Sequence, residues 1–312
     1  MSVPVIKTVN LTKRYGTLVA LSNLNLEIAE GDCFGFIGPN GAGKSTTIKI
    51  LATLLQPTWG EARICDYVVG YQSRQIRPMI GYVPDYFGAY EDMVVQEYLE
   101  FFAACYNING PNRTKIVNDV LELTDLGYKR DSLVDGLSRG MKQRLSIARV
   151  LLHDPKLLLL DEPAGNLDPR ARIELRELLK ELRRMKKTIL ISSHILPELQ
   201  DLCNTVGIIE QGELIYSGPW TDIVNKARGG MVLHVMVADN PAAAGALLAQ
   251  DPNVETVNHN NGFMEVALKP GVDDYSFVPH QLVTAGFRLT MIREEEVNLE
   301  TAFMRLTKGL VQ

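Results

Sequence analysis

The stretch Gly38-Pro39-Asn40-Gly41-Ala42-Gly43-Lys44-Ser45-Thr46 constrains the fold of this chain more than any other. It fits G-x-x-x-x-G-K-S/T, follows an apolar run from Phe34 to Ile37 that reads as a buried strand, and precedes residues 47–55, which read as a helix. Glycines let the backbone curl so that successive N–H groups point at phosphate oxygens. The helix behind adds its free N–H groups and the positive end of its dipole. Lys44 has the reach for β- and γ-phosphates, and the Ser45 hydroxyl is a ligand for magnesium. A strand, a cradle and a helix in that order predict an α/β fold that binds a nucleoside triphosphate.

Composition bounds the rest. Of 312 residues 46% are hydrophobic, and both charge signs are interspersed for a formal net charge of −5. That balance argues against a dedicated nucleic-acid binder. No run approaches the roughly 18 to 20 apolar residues that span a bilayer. Lys7, Lys13 and Arg14 are not followed by the apolar core of a secretory signal. Cys33, Cys65, Cys105 and Cys203 are scattered without a C-x-x-C pair, so neither zinc nor a disulfide framework is expected. The expected setting is a reducing cytoplasm, with any membrane role exerted through a partner.

Before the cradle, residues 3–9 and 24–28 have strand character, separated by a polar stretch at 10–16. Tyr15 in that stretch is either an ordinary surface tyrosine or a ring for stacking on a nucleotide base. After the cradle, residues 56–60 break the helix, and 61–65 and 80–83 read as strands. Asp85 opens a segment that holds Tyr86, Phe87 and Tyr90. From 95 to 126 the apolar spacing turns helical, through Tyr98, Leu99 and Phe102, then Val117, Val120 and Leu121. This block predicts a helical subdomain inserted at about 86–155.

Leu137-Ser138-Arg139-Gly140-Met141 starts a helix that runs through Leu152. Four leucines at 157–160 then read as a strand buried on both faces. The carboxyl end of such a strand is where an α/β sheet presents its ligand-binding groups. Asp161 is placed there for a magnesium shell, and Glu162 to orient or deprotonate a water facing the γ-phosphate. Asn166-Leu167-Asp168 forms a turn, with Pro169 suited to the first position of a helix to residue 184. A strand at 188–192 leads to His194, in reach of the γ-phosphate, and 206–210 with 213–216 form a hairpin about Gln211-Gly212.

A helix at 221–228 and the pair Gly229-Gly230 read as a boundary, giving parts 1–228 and 229–312. The second part reads as strand 231–237, helix 241–249, strands 254–257 and 263–268, helix 277–285, strand 288–292 and helix 299–306. A β-α-β-β-α-β order fits a small split βαβ unit. No titratable cluster in it has catalytic spacing, and Glu294-Glu295-Glu296 reads as a solvated charge run.

Taken in order, these motifs resemble the nucleotide-binding subunit of ATP-binding-cassette (ABC) transporters over roughly residues 3–228. Tyr15 matches the family's adenine-stacking aromatic, and residues 137–141 resemble its signature LSGGQ. Residues 157–162 look like its magnesium strand with catalytic glutamate, Asn166-Leu167-Asp168 like the loop linking two protomers, and His194 like the switch histidine. The tail, with its 299–308 end, resembles the bacterial ABC-2-type exporter ATPases. The resemblance implies a P-loop NTPase cassette, a mixed α/β sheet core with an antiparallel β subdomain and a helical subdomain, plus a small α+β C-terminal domain. It implies an ATPase with ATP and Mg2+ as cofactors, pairing with a second copy or a similar subunit when ATP binds. The implied partner is an integral membrane permease, contacted from the cytoplasmic face, with no nucleic acid expected. In the family two subunits stack head to tail, and each signature covers the γ-phosphate on the opposite phosphate loop. That implies contacts from the Ser138 hydroxyl and from the Arg139 and Gly140 amides at the start of a helix. Three positions depart from the family: Arg139 replaces glycine, Met141 replaces glutamine, and Asp85 stands where a glutamine usually touches magnesium and the attacking water. Asp85 is implied as a metal contact, direct or through water.

The function this implies is an ATPase that powers export through a separate permease, export resting on family analogy and the cargo being chosen by the permease. A soluble ABC-type ATPase acting on ribosomes or nucleic acid is the alternative, although such proteins usually carry two cassettes and one phosphate loop occurs here. A coiled-coil DNA-repair ATPase would need a long heptad insertion between Lys44 and Asp161, and none occurs. A GTPase would need N-K-x-D, and Asn225-Lys226-Ala227-Arg228 fails its last position.

Overall fold

The structure, a computed structural model, describes residues 4–86, 88, 92–227, 231–260, 262–269, 271–272 and 274–295. Phe87, Tyr90, Gly229-Gly230, Glu296 and the helix expected at 299–306 lie outside the described residues. The chain divides into two units, with the boundary between Trp220 and Thr221.

In the first unit, β1 (Pro4–Tyr15) and β2 (Leu18–Leu24) form an antiparallel pair, and β3 (Glu27–Ala29) returns beside β1. The polar stretch expected to separate two strands is the second half of β1. β2 pairs with it as far as Tyr15 and β5 as far as Thr12, so main-chain bonds hold it while Asn10, Arg14 and Tyr15 face solvent. Register shifts at Leu11/Lys13 and Lys13/Arg14 break the two-residue alternation by which a strand is recognised. β4 (Cys33–Ile37) is buried at every position, and α1 (Lys44–Leu51) follows the cradle. β5 (Trp59–Ile64) and β6 (Tyr67–Val68) complete the antiparallel sheet, in order β2-β1-β5-β6 with β3 on β1.

α2 (Ser73–Ile76) precedes β7 (Ile80–Val83), and α3 (Val95–Cys105), α4 (Gly110–Leu123) and α5 (Arg139–Leu151) form the helical insert. The helical block has a break between α3 and α4, where Asn107 adopts φ +61°. α5 ties the insert to the rest through Arg144. This buried guanidinium donates to the Thr124 carbonyl at 3.0 Å, at the end of α4, and lies 3.3 Å from Glu174 Oε2.

β8 (Leu157–Leu160), α6 (Pro169–Arg184), β9 (Thr188–Ser193), α7 (Leu196–Gln200), β10 (Thr205–Glu210) and β11 (Glu213–Pro219) complete the unit. The sheet order is β11-β10-β4-β9-β8-β7, parallel throughout except for the β10–β11 hairpin. Gln211 and Gly212 both take positive φ at that turn, as a two-residue hairpin of matching twist requires. β8 and β9 are buried on both faces, which accounts for their unbroken apolar runs. Each buried leucine of β8 contributes roughly 1.5–3 kcal/mol relative to exposure. Cys33 and Cys203 prove to be neighbours, their sulfurs 3.7 Å apart as free thiols, and burial pushes the Cys203 thiol well up. Among the described residues no helix is long and apolar enough to cross a membrane.

α8 (Trp220–Ala227) begins at the boundary. The second unit is β12 (Val232–Val237), α9 (Pro241–Leu248), β13 (Val254–Asn260), β14 (Phe263–Leu268), α10 (Phe277–Thr284) and β15 (Leu289–Glu294). Its sheet runs β13-β14-β12-β15 with every pair antiparallel, a split βαβ arrangement. Leu233, Val235 and Val266 pack with Leu248 of α9 and Leu282 of α10 into a core of its own.

Candidate active site

Three neighbouring strands of the first unit, β4, β9 and β8, end on one edge of the sheet, and each delivers a motif there. β4 delivers the cradle. Gly43 caps α1 at φ +108°, and a Cβ there would lie 2.7 Å from the Ala20 carbonyl oxygen, so only glycine closes this turn. α1 consequently starts at Lys44, earlier than its apolar spacing suggests, with first-turn amides that have no partner inside the helix. Lys44 is 5% exposed, and its Nζ donates to the Gly38 and Pro39 carbonyls at 2.7 and 3.2 Å. It also lies 3.4 Å from Glu162 Oε1, an ion pair without hydrogen-bond geometry, since that oxygen accepts none.

β8 delivers the two carboxylates. Asp161 Oδ1 accepts from the Ser45 and Ser192 hydroxyls, both at 2.9 Å, while the buried Oδ2 has no partner. Glu162 takes φ +46°, uncommon for a residue other than glycine, and its N–H donates to Ser192 Oγ at 2.9 Å. Its carboxylate reaches both Lys44 and His194, whose Nδ1 lies 2.8 Å from Oε2 at the exit of β9. Backbone strain of this kind gathers at functional sites.

Burial pushes the Asp161 carboxyl above the usual carboxylate range, against the pull of the Ser192 and Ser45 hydroxyls, and the charge of Asp85 adds to the rise. Burial, then the charges of Asp161 and Asp85, push the Tyr82 hydroxyl up to about 12. Asp85 thus bears electrostatically on Asp161. A buried anionic oxygen with an unused lone pair, beside a serine hydroxyl, is the donor chemistry of a hard divalent cation. Ser45 and Asp161 fit Mg2+, which when bound supplies charge neutralisation on phosphate oxygens.

Tyr15 stands half exposed at the end of β1. The Lys13 ammonium lies 5.2 Å from its ring centre and donates to the Gln56 carbonyl at 2.8 Å. We expect Tyr15→Ala to weaken ATP binding by roughly 1–3 kcal/mol, the range for base–aromatic stacking, and Tyr15→Trp to retain it. Equilibrium nucleotide binding checks this, and an unchanged alanine variant makes Tyr15 an ordinary surface residue.

Ser138 caps α5, its hydroxyl accepting from the Met141 N–H at 3.3 Å. Gly140 lets α5 press against α6, since a Cβ there would lie 2.6 Å from Ala171 Cβ. The structure gathers Lys44, Ser45, Asp161, Glu162 and His194 into one cluster. Arg139 lies apart from that cluster, lining an open groove of about 590 Å³ with Asp85, Tyr86 and Asn166. Sequence reasoning missed Ser192, whose hydroxyl donates to the Asp161 carboxylate and accepts from the Glu162 N–H. Its signal was a serine pair closing an apolar strand, because a polar group buried in a sheet needs partners.

A sequence profile described as ABC transporter matches residues 21–165. The chain is 36% identical over 313 aligned residues to the bacitracin transport ATP-binding protein of Bacillus licheniformis, covering 98% of each chain. It is 34% identical over 307 residues to the Nod factor export ATP-binding protein I of Burkholderia orbicola, again covering 98% of each. A solved dimeric ATP-binding cassette in a post-hydrolysis state, bound to ADP and phosphate, is similar with a TM-score of 0.62 at 28% identity, over 69% of this chain and 98% of that one. A likeness running the length of both chains, over a cradle of this geometry, makes this chain a member of the ATP-binding-cassette transporter family, one of its ATP-hydrolysing subunits.

Proposed function

We propose that this ATPase powers export through a separate membrane permease, from the cytoplasmic face, and that it works as a head-to-tail dimer closed by ATP and Mg2+. The observation that carries the reading is the split of the site within one chain. Lys44, Ser45, Asp161, Glu162 and His194 converge, whereas Arg139 faces an open groove that none of these five lines. A half-site of this kind is completed by a second copy. Export is supported by the relatives, one described as a Nod factor export protein and one as a bacitracin transport protein. In this reading Lys44 and the loop amides hold the phosphates, Ser45 and Asp161 hold the metal, and Tyr15 stacks on adenine. Glu162, braced by His194, takes up the proton of the attacking water, and Ser138 with Gly140 covers the γ-phosphate of the other copy. Tyr86, exposed before the insert, is the described aromatic of a segment suited to a permease helix, since aromatics supply contact area at little rotamer cost.

Sedimentation of Glu162→Gln tests the dimer. We expect monomers without nucleotide and dimers with ATP and Mg2+. A dimer equally stable without nucleotide would point to the second unit as the contact.

A further inference from the structure

The groove beside the start of α5 carries more donor capacity than the signature amides alone. Arg139 and Gln143 lie one helical turn apart and line it together. Arg139 is exposed, and among the described residues no carboxylate lies within ion-pair distance of it. The neighbouring cation, Lys142, is taken up by Asp135 at 3.2 Å. Gln143 is 7% exposed, and its Nε2 has no hydrogen-bond partner. Burying an amide donor without an acceptor is costly, so such a group is retained where something arrives to accept from it. Ser138 stands just ahead, opening the free amides of a 13-residue helix. Gly140, pressed on Ala171, fixes the roll of α5 that turns Arg139 outward. A guanidinium fork, an unpaired amide and a helix N-terminus share the groove with Asp135, offset by Lys142, and with Asp85, and these donors suit an anion with several oxygens, which is the chemistry of a phosphoryl group.

We propose that Arg139 is a catalytic residue acting in trans. It contacts the γ-phosphoryl group held by the Lys44 loop of a second copy, with Gln143 donating behind it, and so rests on the head-to-tail dimer of the proposed function. Water attacks the γ-phosphorus, the bridging P–O bond to the β-phosphate breaks, and ADP, inorganic phosphate and a proton leave. Arg139 exchanges no proton. It takes up the charge that spreads over the oxygens as the bond breaks, an arginine-finger role. The family signature LSGGQ, to which this chain's motif is similar, has glycine here, so the side-chain cation is additional to that signature.

The test compares wild type, Arg139→Gly and Arg139→Lys in full-length protein, reading kcat, KM for ATP, vanadate trapping of ADP, and rescue by free guanidinium ion. We expect Arg139→Gly to lower kcat about tenfold to a hundredfold, the range of one charge-assisted hydrogen bond, with KM near wild type. Arg139→Lys falls between, vanadate trapping weakens with kcat, and guanidinium restores part of the rate in the glycine variant alone. A wild-type kcat in Arg139→Gly overturns the proposal. So does a lowered kcat with unchanged trapping and no rescue, which assigns Arg139 a structural part. Failure of Glu162→Gln to dimerise with ATP overturns the head-to-tail reading itself. A nucleotide-dependent dimer with a wild-type rate in Arg139→Gly overturns only the role given to Arg139.

Discussion

Glu162→Gln is expected to keep ATP binding and to slow hydrolysis by at least about a hundredfold, the order for losing the general-base assistance proposed for Glu162. Glutamine has the shape to follow the left-handed turn at this position, and its backbone N–H still donates to Ser192. Its amide retains an oxygen for the His194 contact now made at 2.8 Å. What it lacks is a charge able to accept a proton from water. It also removes the anion 3.4 Å from Lys44, so no carboxylate competes with the phosphates for that cation and nucleotide affinity is expected to hold or rise. Phosphate release at saturating ATP, with nucleotide binding measured separately, checks both halves. Turnover near wild type would move the base elsewhere, with His194 next in line.

Asp161→Asn is expected to abolish most hydrolysis and yet to stabilise the protein in the absence of nucleotide. The carboxylate is buried, one oxygen unpaired, and its pKa is raised by burial. A carboxyl whose folded pKa lies above its unfolded value contributes stability at low pH, which is lost as pH rises through the folded value. At neutral pH the ionised group therefore works against the fold. Asparagine keeps an oxygen for Ser45 and Ser192 and removes the charge, at the cost of a buried amide donor, which is smaller than the cost of an unpaired ion. We expect the melting temperature without nucleotide to rise by roughly 2–4 °C, the shift that about 1 kcal/mol produces in a domain of this size. With ATP and Mg2+ the order is expected to reverse, because only the wild-type carboxylate would gain a metal contact. Hydrolysis falls at least about a hundredfold, since metal neutralisation of phosphate charge is worth several kcal/mol. A variant less stable than wild type without nucleotide would mean that the carboxylate is satisfied in the folded state by something other than the two hydroxyls.

Much of this was legible in the chain because its signals are local. The cradle is one contiguous motif, and the leucine run of β8 ends on its carboxylates with no intervening residue. Periodicity likewise gave the β-α-β-β-α-β order of the second unit. What escaped was set by partners distant in sequence. The polar half of β1 is a strand because β2 and β5 bond to it, and bulges there erase the alternation. Ser192 looked like strand filler because its two partners, Asp161 Oδ1 and the Glu162 N–H, belong to the neighbouring strand end. Cys33 and Cys203 seemed unrelated until the pairing of β4 with β10 brought their sulfurs together. Sheet order itself has no local signature, since parallel neighbours are chosen by crossovers.

The position of β4 between β9 and β10 has a consequence for how this protein matures in the cell. A chain growing from its N-terminus releases residues 33–46 long before 188–210 exist to flank them. Until then the strand carrying the cradle is an unpaired apolar edge, of the kind that invites aggregation in nascent chains. Nucleotide cannot template the beginning of folding, because Lys44, Asp161 and Glu162 meet only after the parallel strands have closed around β4. From that moment binding stabilises the closed form by mass action, in proportion to the logarithm of ligand over its dissociation constant. Nucleotide therefore adds its stability only to the closed form, after the strands that flank β4 have been made.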